Sequence, residues 1–159
     1  KSWLAAASIG VIIGAAGLWY LGPGNKNERL FSEYFHPDPG LMSAMGASEN
    51  YVFDRAMIDY KTGKYDEAIK AWLTLQQSNP ASDTLNYFIG AAYLAMKNSK
   101  TAQTYLQKVT GATGSVFADE ANWYMGLALL KENERERALP YIQRSSHKEK
   151  ETLIPKLQH

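Results

Sequence analysis

The stretch Tyr60–Pro80, YKTGKYDEAIKAWLTLQQSNP, places a glycine, aromatics and alanines at fixed offsets and closes on a proline. Those offsets recur. Ala56, Gly90 and Gly126 fall at equivalent places when the chain is laid under itself, and so do Ala68, Ala102 and Ala138. The spacing within each pair is 12 residues, and the step between copies is 34, then 36. Self-similarity at this period marks stacked helix–turn–helix units. The two helices of such a unit cross closely only where side chains are small. The six residues are therefore the expected packing positions, the small residue of each first helix (A) meeting that of its second helix (B). Lining up the units predicts helices near 49–61, 65–78, 84–96, 99–110, 116–131 and 134–146, with Ser82 and Asp83 capping the third.

On these residues the chain resembles the tetratricopeptide repeat (TPR) family. The first copy supplies Ala56, Gly63, Tyr65, Ala68, Trp72 and Pro80. The second supplies Gly90, Tyr93, Ala102 and Leu106, with Lys97 where the family usually has glycine. The third supplies Gly126, Ala138 and Ile142, with Asn133 at that same glycine position and Leu129 replacing a usual tyrosine. The resemblance covers residues 48–147. It implies an all-α chain in which three helix–turn–helix repeats, near 49–80, 83–114 and 119–147, form a short right-handed solenoid. The two extra residues before the third copy fall in TGATGS (Thr110–Ser115). That stretch lacks the Lys-Ser/Thr ending of a phosphate-binding loop and reads as a lengthened turn. The tail, 148–159, is expected to cap the last repeat as a short helix, shortened or broken by Pro155.

Ahead of the repeats lies an apolar run, SWLAAASIGVIIGAAGLWYLG, without a charge. As a helix, its 19 residues from Trp3 to Leu21 rise about 28 Å, close to the hydrocarbon thickness of a bilayer. Trp3 marks one end and Trp19 with Tyr20 the other, where amphipathic rings prefer the headgroup level. A cleaved signal peptide would have a shorter apolar core and a small-residue cleavage site, whereas this run ends in Leu-Trp-Tyr-Leu. Residues 1–22 are therefore expected to be one transmembrane helix. Ala6, Gly10 and Gly14 lie four apart along one face, the spacing at which small residues let helices approach closely in lipid. Other membrane-protein helices are the expected partners there, although small residues are also common in membrane helices generally. Basic residues near the run do not orient it: Lys1 stands on one side, Lys26 and Arg29 on the other.

Residues 23–47 read as a linker. GPGNKN breaks the helix, ERLFSEYF can present Leu30, Phe31, Tyr34 and Phe35 on one face, and Pro37 and Pro39 hold HPDPG extended. So many aromatics suggest that the linker docks on the repeats, and Leu41, Met42 and Met45 are expected to lie against something. An anchor, a Tyr-Phe-x-Pro-x-Pro element (Tyr34, Phe35, Pro37, Pro39) and repeats in this order resemble membrane-anchored repeat proteins of Bacteroidetes. That resemblance implies a single-pass protein of a bacterial inner membrane, with periplasmic repeats and a cytoplasmic stretch before Lys1.

In the repeat family the concave groove is lined by helix A of each unit. Transferred by phase, the partner-groove candidates are Phe53, Met57 and Tyr60 in the first copy, Tyr87 and Leu94 in the second, and Trp123, Leu127 and Leu130 in the third. The basic clamp with which chaperone-binding relatives hold a C-terminal carboxylate is missing. Asn50, Lys61 and Lys131 are the polar candidates, and they do not make that set. A groove of this kind suits a soluble protein or peptide. Two alternatives stay open: these side chains pack on helix B, or LFSEYF folds back into the groove and occupies it.

Composition narrows the functions further. With 17 basic and 16 acidic residues and a net charge of +1, the chain lacks the basic footprint of nucleic-acid binding. It has no cysteine, so neither a disulfide framework nor a thiolate site is available. His36, His147 and His159 share no ligand spacing. No nucleophile–base set or paired carboxylates converge by spacing, so neither an enzyme, a cofactor nor a metal is expected. The expected function is a membrane-anchored adaptor or scaffold subunit of a membrane protein complex. The competing one is a receptor whose groove binds a peptide and signals through the anchor.

Overall fold

The computed structural model describes residues 25–42 and 51–158. The regular structure among those residues is all α-helical, eight α-helices and no strand: α1 (Lys26–Tyr34), α2 (Tyr51–Lys61), α3 (Tyr65–Ser78), α4 (Asp83–Ala95), α5 (Ser99–Thr110), α6 (Ala118–Lys131), α7 (Arg135–Arg144) and α8 (Lys150–Gln158). The apolar run 1–22, with Ala6, Gly10 and Gly14, lies outside the described residues. Among those described, no helix is long and apolar enough to cross a membrane. The helices pack as three consecutive pairs, α2–α3, α4–α5 and α6–α7, joined through α3–α4 and α5–α6. The first helix lies on α6 and the last on α7.

The turn inside each pair is built the same way. Gly63, Lys97 and Asn133 have φ of 79°, 62° and 65°, the left-handed region. In each turn that residue's N–H donates three residues back, to Tyr60, Leu94 or Leu130, at 2.9–3.0 Å. The next N–H donates five back, to Asp59, Tyr93 or Leu129, at 2.8–2.9 Å. This double bond satisfies carbonyls that a helix end otherwise leaves orphaned, and it needs a left-handed residue. Glycine takes that conformation freely and asparagine tolerates it, whereas lysine does so at a cost. The departures at Lys97 and Asn133 therefore leave the turn geometry intact.

Small residues mark the crossings within pairs, and the two glycines among them each face a large side chain of the second helix. Ala56, Ala68, Gly90, Ala102 and Ala138 are buried. A Cβ on Gly90 would sit 2.8 Å from Leu106 Cγ, and one on Gly126 would sit 2.3 Å from Ile142 Cδ1. The residue each glycine makes room for thus lies four positions beyond the small residue of the second helix. Cα–Cβ bonds tilt towards a helix's N-terminus, so a large side chain covers the turn before its own Cα. Gly126 also comes close to Ala138, whose carbonyl oxygen lies 3.4 Å from the added Cβ.

Trp72, fully buried, anchors the first pair. The rings of Phe53, Tyr60 and Phe88 have centroids 5.7–5.8 Å from it. The lengthened turn before α6 is pinned by Phe117, which stacks on Tyr87 at 4.7 Å. Two prolines lie inside helices. Pro140 stands sixth in α7, exposed, where solvent can meet the carbonyl it leaves free. Pro155 lies within α8 without ending it, and Leu153 and Leu157 on either side are buried.

Candidate functional site

The described groove is filled by the chain itself. Asn25 caps α1 by accepting from the Asn27 N–H at 3.1 Å. The helix then buries Leu30, Phe31 and Tyr34 on one face, the face that the linker's apolar spacing implies. On α6, Tyr34 meets Trp123 edge-on at 6.4 Å, and the next residue, Phe35, meets Tyr124 at 5.9 Å. Polar contacts flank these rings. Lys131 Nζ pairs with the Glu28 carboxylate at 2.9 Å and lies 5.2 Å from the Phe31 ring centroid. Arg135 donates to Asn27 Oδ1 at 3.3 Å from two nitrogens, and Asn27 Nδ2 donates to Asn133. From the other side, α8 contributes Thr152, 3.2 Å from the Tyr34 hydroxyl, and Lys156, paired with Glu33.

Beyond Phe35 the chain is extended, held by Pro37 and Pro39, and crosses from the third helix pair to the first. One hydrogen bond comes from each pair. The Tyr124 hydroxyl donates to the His36 carbonyl at 2.8 Å, the Tyr87 hydroxyl to Asp38 Oδ2 at 2.7 Å, and Lys61 Nζ to the Leu41 carbonyl at 2.8 Å. The other carboxylate oxygen of Asp38 accepts from the Gly40 N–H at 2.7 Å and closes a local turn. Gly40 has φ of 77°, and a Cβ there would lie 2.7 Å from Met57 Sδ. The left-handed backbone favours glycine there, and a larger residue would have to displace the Met57 side chain.

The electrostatics agree with a site that donates. Burial pushes the phenols of Tyr60, Tyr87 and Tyr124 far above their ordinary range, and the Asp38 carboxylate pushes them further. All three are neutral hydroxyls at physiological pH, able to donate. Near α8, His147 stacks on Trp123 at 4.0 Å. Desolvation lowers its pKa, against the opposite pull of Glu149. Its Nδ1 accepts from the Glu149 N–H at 3.3 Å, which fits the neutral ring better than an ion pair.

Each groove candidate is accounted for. Met57, Tyr60, Tyr87, Leu94, Trp123, Leu127 and Leu130 are buried, and Phe53 is half-buried. Among them, Met57, Tyr87 and Trp123 meet the linker segment directly. Phe53 turns to Trp72 and Phe88 and borders a separate hollow of about 360 Å³ with Leu75, Asn79, Ser82, Thr84 and Leu85. Of the alternatives that the sequence left open, the structure has the one in which the segment preceding the repeats lies on these side chains. Leu41 and Met42 do not pack as expected, and Met42 is 96% exposed; Met45 lies outside the described residues. Sequence reasoning missed Asp38 and Gly40; an acid between two prolines followed by glycine was the available signal. A second hollow, about 470 Å³, is lined by Asn25, Asn27, Asn133 and residues 134–137. Two of its lining charges, Glu134 and Arg137, are paired with each other. Among the described residues no three His, Asp or Glu side chains are grouped to hold a metal. Compared with models of protein families and with curated proteins, the chain matches none.

Proposed function

We propose that this chain is a membrane-anchored scaffold of the tetratricopeptide repeat type, whose repeats hold a protein partner beside a membrane complex. The observation that carries this reading is the threefold recurrence of one left-handed turn, at Gly63, Lys97 and Asn133, in steps of 34 and 36 residues. Helix pairs joined by identical turns and packed in series form an extended face, the surface that repeat proteins use for binding. The same face already grips an extended segment by one hydrogen bond per pair. On this reading residues 1–22 span a bacterial inner membrane once, the repeats stand in the periplasm, and Ala6, Gly10 and Gly14 pack against neighbouring membrane helices.

A second reading, a receptor, draws support from connectivity. The segment in the groove, 26–42, follows the apolar run almost directly, so a ligand that displaced it would pull on the anchor. Extraction in mild detergent followed by affinity purification separates the two. The scaffold co-purifies with a stoichiometric membrane complex, and Gly10→Leu with Gly14→Leu strips it from that complex. A protein that purifies alone yet binds a free peptide supports the receptor and refutes the scaffold.

A further inference from the structure

Residues 34–41 are held as a bound peptide is held. Their outer side is open, with His36, Pro37, Pro39 and Leu41 exposed. Two of the three hydrogen bonds from the groove go to main-chain carbonyls, at His36 and Leu41, which any sequence offers. The third, from Tyr87, goes to a side chain and selects an acid at Asp38. Tyr34 and Phe35 supply the ring contacts with Trp123 and Tyr124. At position 40 the φ of 77° favours glycine, and a larger residue would have to displace the Met57 side chain. Two prolines restrict the unbound chain, so little ordering entropy is lost on docking. The groove therefore reads four features of one short sequence, spread over all three helix pairs.

We propose that the groove is a recognition site for an extended segment of a partner protein with the form aromatic–aromatic–x–Pro–Asp–Pro–Gly, and that residues 34–40 are its built-in competitor. This rests on the scaffold reading and names the chemistry of the partner. A tethered segment acts at an effective concentration of roughly millimolar. A free partner therefore sees an affinity reduced by the fraction of time the groove is open. Loosening the internal copy is what admits the partner.

The test uses the full chain in detergent and a fluorescent peptide of sequence LFSEYFHPDPGLM, residues 30–42, titrated by anisotropy. Asp38→Asn in the protein weakens the internal copy while leaving the groove intact. The peptide is then expected to bind this variant about ten- to hundredfold more tightly than the unaltered chain, the range set by one hydrogen bond to a charged group. Asparagine in place of aspartate in the peptide removes most of that gain, and so does adding Tyr87→Phe to the protein. Absence of binding to a folded Asp38→Asn chain overturns the proposal. Phe35→Ala serves as a second way of weakening the internal copy. If both variants lose their helical signal, the segment is an element of the core and the proposal fails. If the Asp38→Asn chain instead pairs with itself and the peptide dissolves the pairs, the occupant is a second copy, which also overturns it. Loss of the co-purifying complex with peptide binding retained would count against the scaffold reading alone.

Discussion

Lys97 offers the sharpest test of the repeated turn. It occupies the left-handed region with φ of 62°, where Gly63 stands in the first pair. A non-glycine residue there costs about 1–2 kcal/mol. Glycine removes that cost but gives the unfolded chain more freedom, which returns about 0.5–1 kcal/mol. Lys97→Gly is therefore expected to stabilise the fold by about 0.5–1 kcal/mol, although glycine normally weakens a helical protein. The side chain is exposed, so little packing is lost. With a urea slope of about 2 kcal/mol per M, the midpoint should rise by about 0.3–0.5 M at unchanged slope. The reciprocal variant, Gly63→Ala, meets no atom within 4 Å of its added Cβ. Its cost of about 1 kcal/mol would be purely conformational. Circular dichroism through a urea titration in detergent measures both. A neutral or destabilising Lys97→Gly, or a harmless Gly63→Ala, would refute the shared turn.

Two further perturbations test packing and charge. Gly90→Ala places a methyl 2.8 Å from Leu106 Cγ and 3.3 Å from the Leu106 nitrogen. Overpacking of about 1–3 kcal/mol then competes with about 1 kcal/mol of helix propensity, for a net loss of up to about 2 kcal/mol in a thermal melt. Leu106→Ala in the same chain should relieve part of that loss. His147 sets a pH dependence. Burial lowers its pKa below the ordinary 6.5, so the folded state takes up its proton less readily than the unfolded state. Its contribution is present above pH 6.5 and is lost as pH falls through the lowered value. Melting temperatures followed from pH 7.5 to pH 5 should decline less for His147→Phe than for the unaltered chain. An identical decline would show that another group is responsible.

Much of this architecture is written in local patterns. The six pair helices begin and end within about two residues of expectation, because small residues, caps and turns each mark their positions independently. Lys97 and Asn133 break the glycine pattern yet adopt its conformation, since the two turn hydrogen bonds and the packed helices on either side outweigh the strain of one residue. The crossing register was harder to read. Periodicity locates the small residues, but the direction of side chains decides that Gly90 and Gly126 also make room for Leu106 and Ile142. The candidate site was legible only in part. Trp123, Tyr87 and Met57 follow from repeat phase, and the apolar face of α1 follows from its spacing. Which surface the linker would cover depends on long-range geometry, linking Asp38 to Tyr87 across 49 positions. No short pattern carries that information.

The central claim is that the segment before the repeats lies across their groove, and a double-mutant cycle between Asp38 and Tyr87 tests it most directly. Tyr87→Phe removes the 2.7 Å hydrogen bond and Asp38→Asn removes the charge that strengthens it, both with little change in shape. If the two groups meet as described, the double variant should be less unstable than the sum of the singles by about 1–2 kcal/mol. Additivity within about 0.3 kcal/mol, in chains that remain helical, would mean that the carboxylate and the phenol do not touch, and the filled groove would be wrong.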